Sequence, residues 1–338
     1  MLAKVTIKDV AAKAEVSVKT VSRVINNEPN VRQVLQDKVK SAITELGFKR
    51  NPLARGLRSQ QSFIITFIYT NPNPDYIIKI LSGALKQCEK HGYRLQLQPL
   101  DHKSDTLIDE LSYIVENSNQ DGFLITHPLC DMPEIRNIFD NKGIPFTRIS
   151  PFDDEHPSPV VGSCNTQAST EMTEHLIELG HDKIAYISGD SEFGATQKRF
   201  EGFKQAMMNA GLSINDEYVI QGDFTFETGE KCARQLLSLA VPPTAIFASN
   251  DNTAAAVLKV AAQKKIKVPS ELSVAGFDNS PISNQVWPSL TTISQPTEQI
   301  AKNGVDKLFR AIKNKPFDDI ESRLTCTIIK RNSTSLAD

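Results

Sequence analysis

Thr6-Ile7-Lys8-Asp9-Val10-Ala11-Ala12-Lys13-Ala14, a break at Glu15-Val16, then Ser17-Val18-Lys19-Thr20-Val21-Ser22-Arg23-Val24-Ile25 read as two short helices joined by a tight turn. Thr6 with Asp9 three residues later has the form of a capping box. Val10, Ala11 and Ala14 then fall on one face of a helix. Ser17 is a good N-cap for the second helix, which is rich in small and polar residues. This pairing suits a helix-turn-helix, whose second helix enters the major groove of DNA. Outward from it, Asn26-Asn27-Glu28-Pro29-Asn30 is a loop by composition. A third helix is predicted over 33–46, carrying Val34, Leu35, Val39, Ala42, Ile43 and Leu46, and Gly47 suits the residue just past its end.

Charge supports this reading. The chain of 338 residues has a formal net charge of −2, but residues 1–60 carry +7 and residues 61–338 carry −9. A basic head on an acidic body is the asymmetry expected when one end meets nucleic acid. Asn51-Pro52-Leu53-Ala54-Arg55-Gly56-Leu57-Arg58-Ser59 follows. A capping residue and a proline at the first position allow a helix there. At about two turns, with Gly56 inside, it needs a partner to stay folded.

Beyond residue 62 the sequence alternates. Strands are predicted at 63–69, 93–98, 121–126, 145–149, 183–188, 244–249 and 272–276, with helices near 75–91, 105–118, 132–142, 166–179, 195–210, 227–239 and 252–264. The fold class expected is α/β, with parallel sheets covered by helices on both faces. So long a body divides best into two lobes, with a ligand at the carboxyl ends of the strands, in the cleft between them. The loops holding Asn73-Pro74-Asp75-Tyr76 and His127-Pro128 follow strands and are expected to line its near side.

The motifs Val5–Ala11, Val16–Asn26, Glu45-Leu46-Gly47-Phe48 and Asn51–Arg55, with their spacing intact, closely resemble the DNA-binding head of the lactose-repressor (LacI/GalR) family. The resemblance implies that residues 17–25 are the recognition helix. Val18, Lys19 and Arg23 would face base edges, where Arg and Lys can reach guanine O6 and N7 and Val a thymine methyl. Ser17, Thr20 and Ser22 would contact phosphates, and Thr6 and Asn26 count among the DNA-contacting positions. The third helix departs from the family: Arg32-Gln33-Val34-Leu35-Gln36 stands where Ser-x-x-Thr-Arg is usual, leaving Asn30 to cap and Arg32 to meet phosphate. By the same resemblance residues 51–61 are a hinge helix. Leu57 would wedge into the minor groove, and Arg55 and Arg58 would meet the backbone.

The body resembles the same family, and through it the periplasmic sugar-binding proteins. The motifs are Gly180–Ile187, Arg199-Phe200-Glu201-Gly202-Phe203, Ala248–Asp251, Val274-Ala275-Gly276-Phe277-Asp278 and Pro288–Pro296. The resemblance makes Arg199, Asn250 and Asp278 effector contacts, Phe224 a stacking ring and Ser150 a pocket wall. Arg, Asn and Asp offer donors and acceptors at fixed angles, which suits a polyol. Without a ligand, Arg199 and Asp278 read as an ion pair across the cleft. Tyr76 joins the near side, and Trp287 is a second aromatic platform or a lobe-interface residue. The organisation expected is a helix-turn-helix domain at 1–50, a hinge at 51–61, and an effector-binding and dimerisation body at 62–338. Lobe 1 would take about 62–162 plus 294–324, and lobe 2 about 163–293 plus 325–338.

The remaining signals set the class. No nucleophile elbow, phosphate-binding loop, dinucleotide fingerprint or zincin motif occurs, so no enzyme is expected. The six histidines and five scattered cysteines show no metal spacing, so no metal or cofactor is expected, and the thiols suit a reducing cytoplasm. The N-terminus lacks a signal-length apolar stretch. The function expected is a cytoplasmic, sequence-specific repressor of sugar-utilisation genes. It would bind a pseudo-palindromic operator as a homodimer, favoured over a tetramer, and be released by a small carbohydrate. The alternatives are a body that answers to a protein corepressor, or to a purine-type ligand as corepressor.

Overall fold

The structure is a computed structural model that describes residues 5–25, 31–48, 61–70, 73–117, 119–153 and 155–337. The chain forms two compact units, Met1–Ser62 and Phe63–Asp338.

In the first unit, α1 (Ile7–Ala14), α2 (Val18–Ile25) and α3 (Gln33–Leu46) pack on one another. The Asp9 carboxylate accepts from both the backbone N–H and the hydroxyl of Thr6, each at 2.7 Å, which fixes the start of α1. Ser17 Oγ accepts the Thr20 amide at 3.0 Å and so caps α2. Gly47 ends α3 in the left-handed region at φ 60°. Arg32 precedes α3 without a side-chain capping bond, and Asn30 lies outside the described residues. Val10, Ala11, Ala14, Val21, Val24, Val39 and Ala42 form the core. Each buried valine contributes on the order of 1.5–3 kcal/mol, a large share in a unit this small.

The second unit holds two six-stranded sheets. Lobe 1 contains β1 (Ile64–Tyr69), α4 (Pro74–Lys90), β2 (Arg94–Pro99), α5 (Leu107–Asn117), β3 (Gly122–Thr126), α6 (Pro133–Lys142), β4 (Phe146–Ile149) and β5 (Val160–Ser163). Lobe 2 contains α7 (Asn165–Glu178), β6 (Ile184–Ile187), α8 (Gly194–Asn209), β7 (Val219–Ile220), α9 (Phe226–Leu236), β8 (Ala245–Ala248), α10 (Asp251–Gln263), β9 (Ser273–Phe277), α11 (Ile282–Gln285) and β10 (Thr291–Ser294). The chain then returns to lobe 1 as α12 (Thr297–Ile312) and β11 (Arg323–Leu324), and ends in lobe 2 with β12 (Thr327–Ile329). The strand orders are β11-β5-β4-β3-β1-β2 and β12-β10-β9-β8-β6-β7. All pairings are parallel except β10 with β12, which is antiparallel.

Strands β5, β7, β10, β11 and β12 and helices α11 and α12 are not among the elements expected from the sequence. Two motif glycines have a packing cause. A Cβ on Gly202 would lie 2.2 Å from the Thr166 carbonyl oxygen, so glycine there lets α8 lie on α7. A Cβ on Gly276 would lie 2.4 Å from Asp251 Oδ1. Among the described residues no helix is long and apolar enough to cross a membrane, and no cluster of His, Cys, Asp and Glu could hold a metal ion. All five cysteines are free; burial pushes the Cys88 thiol to about 12 and Cys326 to about 11.

Candidate functional site

The outer face of α2 is the first site. Val21 and Val24 turn into the core, which leaves Ser17, Val18, Lys19 and Arg23 exposed and Thr20 and Ser22 half-buried. Lys19 and Arg23 are four residues apart and so project from the same side. Thr6 is exposed at the start of α1. The surface thus offers cations, hydroxyls and one aliphatic side chain, the set that reads base edges and phosphates. Asn26, Arg55, Leu57 and Arg58 lie outside the described residues.

The second site is the cleft between the lobes. Its walls include Asn73, Tyr76, Thr126, His127, Ser150, Asn165, Phe193, Arg199, Phe224, Asp278 and Gln295, around about 540 Å³ of unfilled space that includes its open mouth. All but two of these follow the carboxyl end of a strand, where open parallel sheets place their ligands. The exceptions end β3 (Thr126) or lie one turn into α8 (Arg199).

Arg199 is 5% exposed. Its Nε donates to Asn165 Oδ1 at 2.9 Å and its Nη1 to the Ser249 carbonyl at 2.5 Å. The guanidinium carbon lies 3.6 Å from the Phe277 ring centre. Nη2 is 3.5 Å from Asp278 Oδ1, a long ion pair. Both residues belong to lobe 2, so the pair does not span the cleft as the sequence suggested. The cleft is spanned by Asn73 of lobe 1, whose Nδ2 donates to Asp278 Oδ2 at 2.8 Å, and by Lys79, whose Nζ donates to the Asp278 carbonyl at 2.8 Å. Gln295 Nε2 donates to Asp278 Oδ1 at 2.7 Å. Burial raises the Asp278 carboxyl, against the pull of Arg199, Gln295, Lys79 and Asn73. Behind it, burial and then the charge of Asp278 push Asp251 up to about 7.

The aromatic and hydroxyl walls are equally fixed. Tyr76 and Ser150 share a hydrogen bond of 2.9 Å, and desolvation pushes the Tyr76 hydroxyl up to about 12. Phe224 meets Phe193 at 6.0 Å and 87°. Ser150, Phe224 and Asp278 have φ of 54°, 70° and 105°. Non-glycine residues in this region are strained and concentrate where a site dictates the backbone. Thr126 Oγ1 is buried without a protein partner.

Two expected contacts stand elsewhere. Asn250 is fully buried and outside the cleft lining. Its Oδ1 caps α10 by accepting the Thr253 amide at 2.9 Å, and its Nδ2 donates to the Phe224 carbonyl at 2.8 Å, so it positions Phe224. Trp287 is 88% exposed on lobe 2, also outside the lining. Asn165, Phe193 and Gln295 were not picked out by sequence. Gln295 sits inside a quoted motif, and Asn165 opens a helix directly after β5, a strand the reading missed.

Comparison with known proteins gives a consistent picture. Residues 6–51 match the family model described as bacterial regulatory proteins, lacI family, and residues 173–334 match the periplasmic binding protein-like domain. The HTH-type transcriptional repressor CytR of Escherichia coli K12 is 31% identical over 97% of this chain and 96% of its own. The ribose operon repressor of the same organism is 31% identical over 97% of this chain and 99% of its own. The structure of a transcriptional regulator CelR–cellobiose complex superposes with a TM-score of 0.73 at 27% identity, covering 98% of this chain and 100% of that one.

Proposed function

This chain belongs to the lacI family of bacterial regulatory proteins, and from that premise we propose that it is a cytoplasmic repressor of sugar-utilisation genes, released from its operator by a small sugar. A homodimer presents two α2 helices to successive major grooves of a pseudo-palindromic site. Residues 51–61 join each head to its body and carry the state of the cleft to the DNA. Two relatives point to the ligand class: one is named for the ribose operon and one is held with cellobiose.

The observation that carries the reading is the convergence on one cleft of three amides, Asn73, Asn165 and Gln295, with Arg199, Asp278 and Phe224. Amide, guanidinium and carboxylate groups supply the paired donors and acceptors that sugar hydroxyls take, and the ring covers an apolar sugar face. The polar groups line the cleft and are tied to one another, bonds that a ligand's hydroxyls can exchange into.

The test is a thermal-shift screen of the full chain with D-ribose, D-glucose, cellobiose, their phosphates and purine bases. A ligand at 100 times its Kd stabilises by about 2.7 kcal/mol, a shift of a few degrees. A sugar shift that disappears in Asp278→Ala, together with a fall in affinity for a selected operator fragment, supports the reading. Purine bases shifting the transition where sugars do not would overturn it.

A further inference from the structure

One short loop of lobe 2, Asp190-Ser191-Glu192-Phe193-Gly194, reaches across to lobe 1. The Glu192 carboxylate accepts from Lys103 Nζ at 2.5 Å and lies 3.3 Å from His102 Nε2. His102 Nδ1 is 3.2 Å from Thr70 Oγ1. His127 is held on Nδ1 by Asp131, and its Nε2 accepts the Gly194 N–H at 2.6 Å. Asp131 is in turn paired with the buried Arg148 at 3.3 Å. Just beyond the loop, Lys198 Nζ donates to the Pro151 carbonyl at 3.2 Å. A Cβ on Gly194 would lie 2.8 Å from Phe152 Cδ2, so the backbone there is pressed onto lobe 1.

Phe193 stands in the middle of these bonds. It is the loop's one apolar side chain, is 4% exposed, and lines the cleft. Its ring meets His102 at 5.9 Å and His127 at 5.8 Å, both from lobe 1, and Phe224 of lobe 2 at 6.0 Å.

We propose that loop 190–194 is a latch holding lobe 2 on lobe 1, and that in closing it brings Phe193 to the cleft as a second aromatic wall at right angles to Phe224. This rests on the reading of the cleft as an effector site. Two rings at right angles form an apolar corner, with Asn73, Asn165 and Gln295 among the polar walls of the same cleft. The ligand class it fits is a small ring with one apolar face and a hydroxylated rim. Glu192, 48% exposed at its side chain, is a positioning residue that acts through Phe193. An exposed ion pair is weak and salt-screened, so the latch opens readily, as ligand entry requires.

Hydrogen exchange in the full chain without ligand tests the latch. Glu192→Lys should speed exchange of the Gly194 amide about threefold or more, the scale of one exposed ion pair. The swapped pair Lys103→Glu/Glu192→Lys should restore it. Unchanged exchange in Glu192→Lys, or no rescue by the swap, would overturn the latch. Titration with D-ribose and cellobiose tests the wall: Phe193→Ala should weaken the sugar that binds about tenfold, in the range of one aromatic contact. Glu192→Lys should weaken it about threefold, again with rescue by the swap. Full affinity in Phe193→Ala, with binding abolished in Asp278→Ala, overturns the wall while sparing the effector reading. Failure of both sugars to bind wild type takes down the effector reading and the wall with it, while exchange still decides the latch.

Discussion

Arg23 on α2 and Arg199 in the cleft carry the same guanidinium in opposite surroundings. Arg23 is exposed on a helix whose other face is the core of the head. Arg199 is buried, and its donors are committed to Asn165, Ser249 and Asp278. The head therefore presents groups to a partner that arrives complete, while the cleft is a closed network that a ligand must enter and rearrange. Substitutions should separate the two. Arg199→Ala removes the guanidinium paired with the buried Asp278 and leaves Lys79 as the remaining cation beside it; breaking a buried pair costs up to about 3–5 kcal/mol. The body should melt several degrees lower and lose its sugar response; a change below about 1 kcal/mol would show that Asp278 relies on its amide partners instead. Arg199→Lys should not rescue, because a lysine cannot reach three acceptors in one plane.

Acid and base divide the molecule in the same way. The Asp251 carboxyl, raised to about 7 from 3.8, keeps a proton in the folded body that the unfolded chain has already lost. Stability of lobe 2 should therefore fall as pH rises from about 4 to about 7, by on the order of a few kcal/mol. Asp278 is raised for the same reason and adds to the slope. Asp251→Asn should flatten it, read by thermal denaturation at pH 5 and pH 8. A wild-type body more stable at pH 8 than at pH 5 would contradict the burial of this charge. In the head the sign reverses: Thr6 holds Asp9 below 3.8, so that contribution is present above the ordinary carboxylate range and lost in acid.

Arg23→Ala should behave unlike its counterpart in the cleft. Folding stability should stay within about 0.5 kcal/mol of wild type, while operator affinity falls by about 1–3 kcal/mol and discrimination relaxes at one base pair. Equal losses on operator and random DNA would reassign Arg23 to a phosphate.

The same contrast explains what the sequence could convey. Among the described residues of the head the three helices lie where the sequence puts them, because capping, helical spacing and a left-handed glycine are local: Thr6 with Asp9, Ser17 and Gly47 each act within five positions. The βα units were legible within about two residues where a strand is a buried apolar run, as at 64–69 or 122–126. Short strands such as Val160–Ser163 and Thr327–Ile329 lack such a run; the first is flanked by β11, which arrives only after the chain returns from lobe 2, and the second follows a crossing between lobes. Thr297–Ile312 carries an apolar face, Ile300, Ala301, Val305, Leu308 and Phe309, but Gly304 interrupts it; a Cβ there would sit 2.6 Å from Ile149 Cδ1. In the cleft, Arg199 and Asp278 were visible through their motifs. Asn165 and Gln295 were not, because their roles depend on partners distant in sequence, Arg199 for the first and Ser163 and Asp278 for the second. Asn250 was visible but misplaced, since a strand-end amide can face a ligand or cap the next helix, and here it caps.

The smallest effect sharpens the comparison most at one atom. Ser17 Oγ caps α2, and by resemblance the same hydroxyl is placed at a phosphate. Ser17→Ala removes both roles, so a loss of about 1 kcal/mol in head stability would be expected whether or not DNA is touched. Ser17→Asp separates them. A carboxylate caps a helix N-terminus as well as serine and favours its dipole, so head stability should be kept or slightly raised. The new charge faces the DNA backbone, so operator affinity should fall, and the fall should shrink as salt screens the repulsion. Fluorescence anisotropy at two salt concentrations, beside a melting curve, reads both quantities. Unchanged affinity in Ser17→Asp would move Ser17 out of the interface and leave it a structural cap, drawing the boundary of the DNA-reading face at Val18.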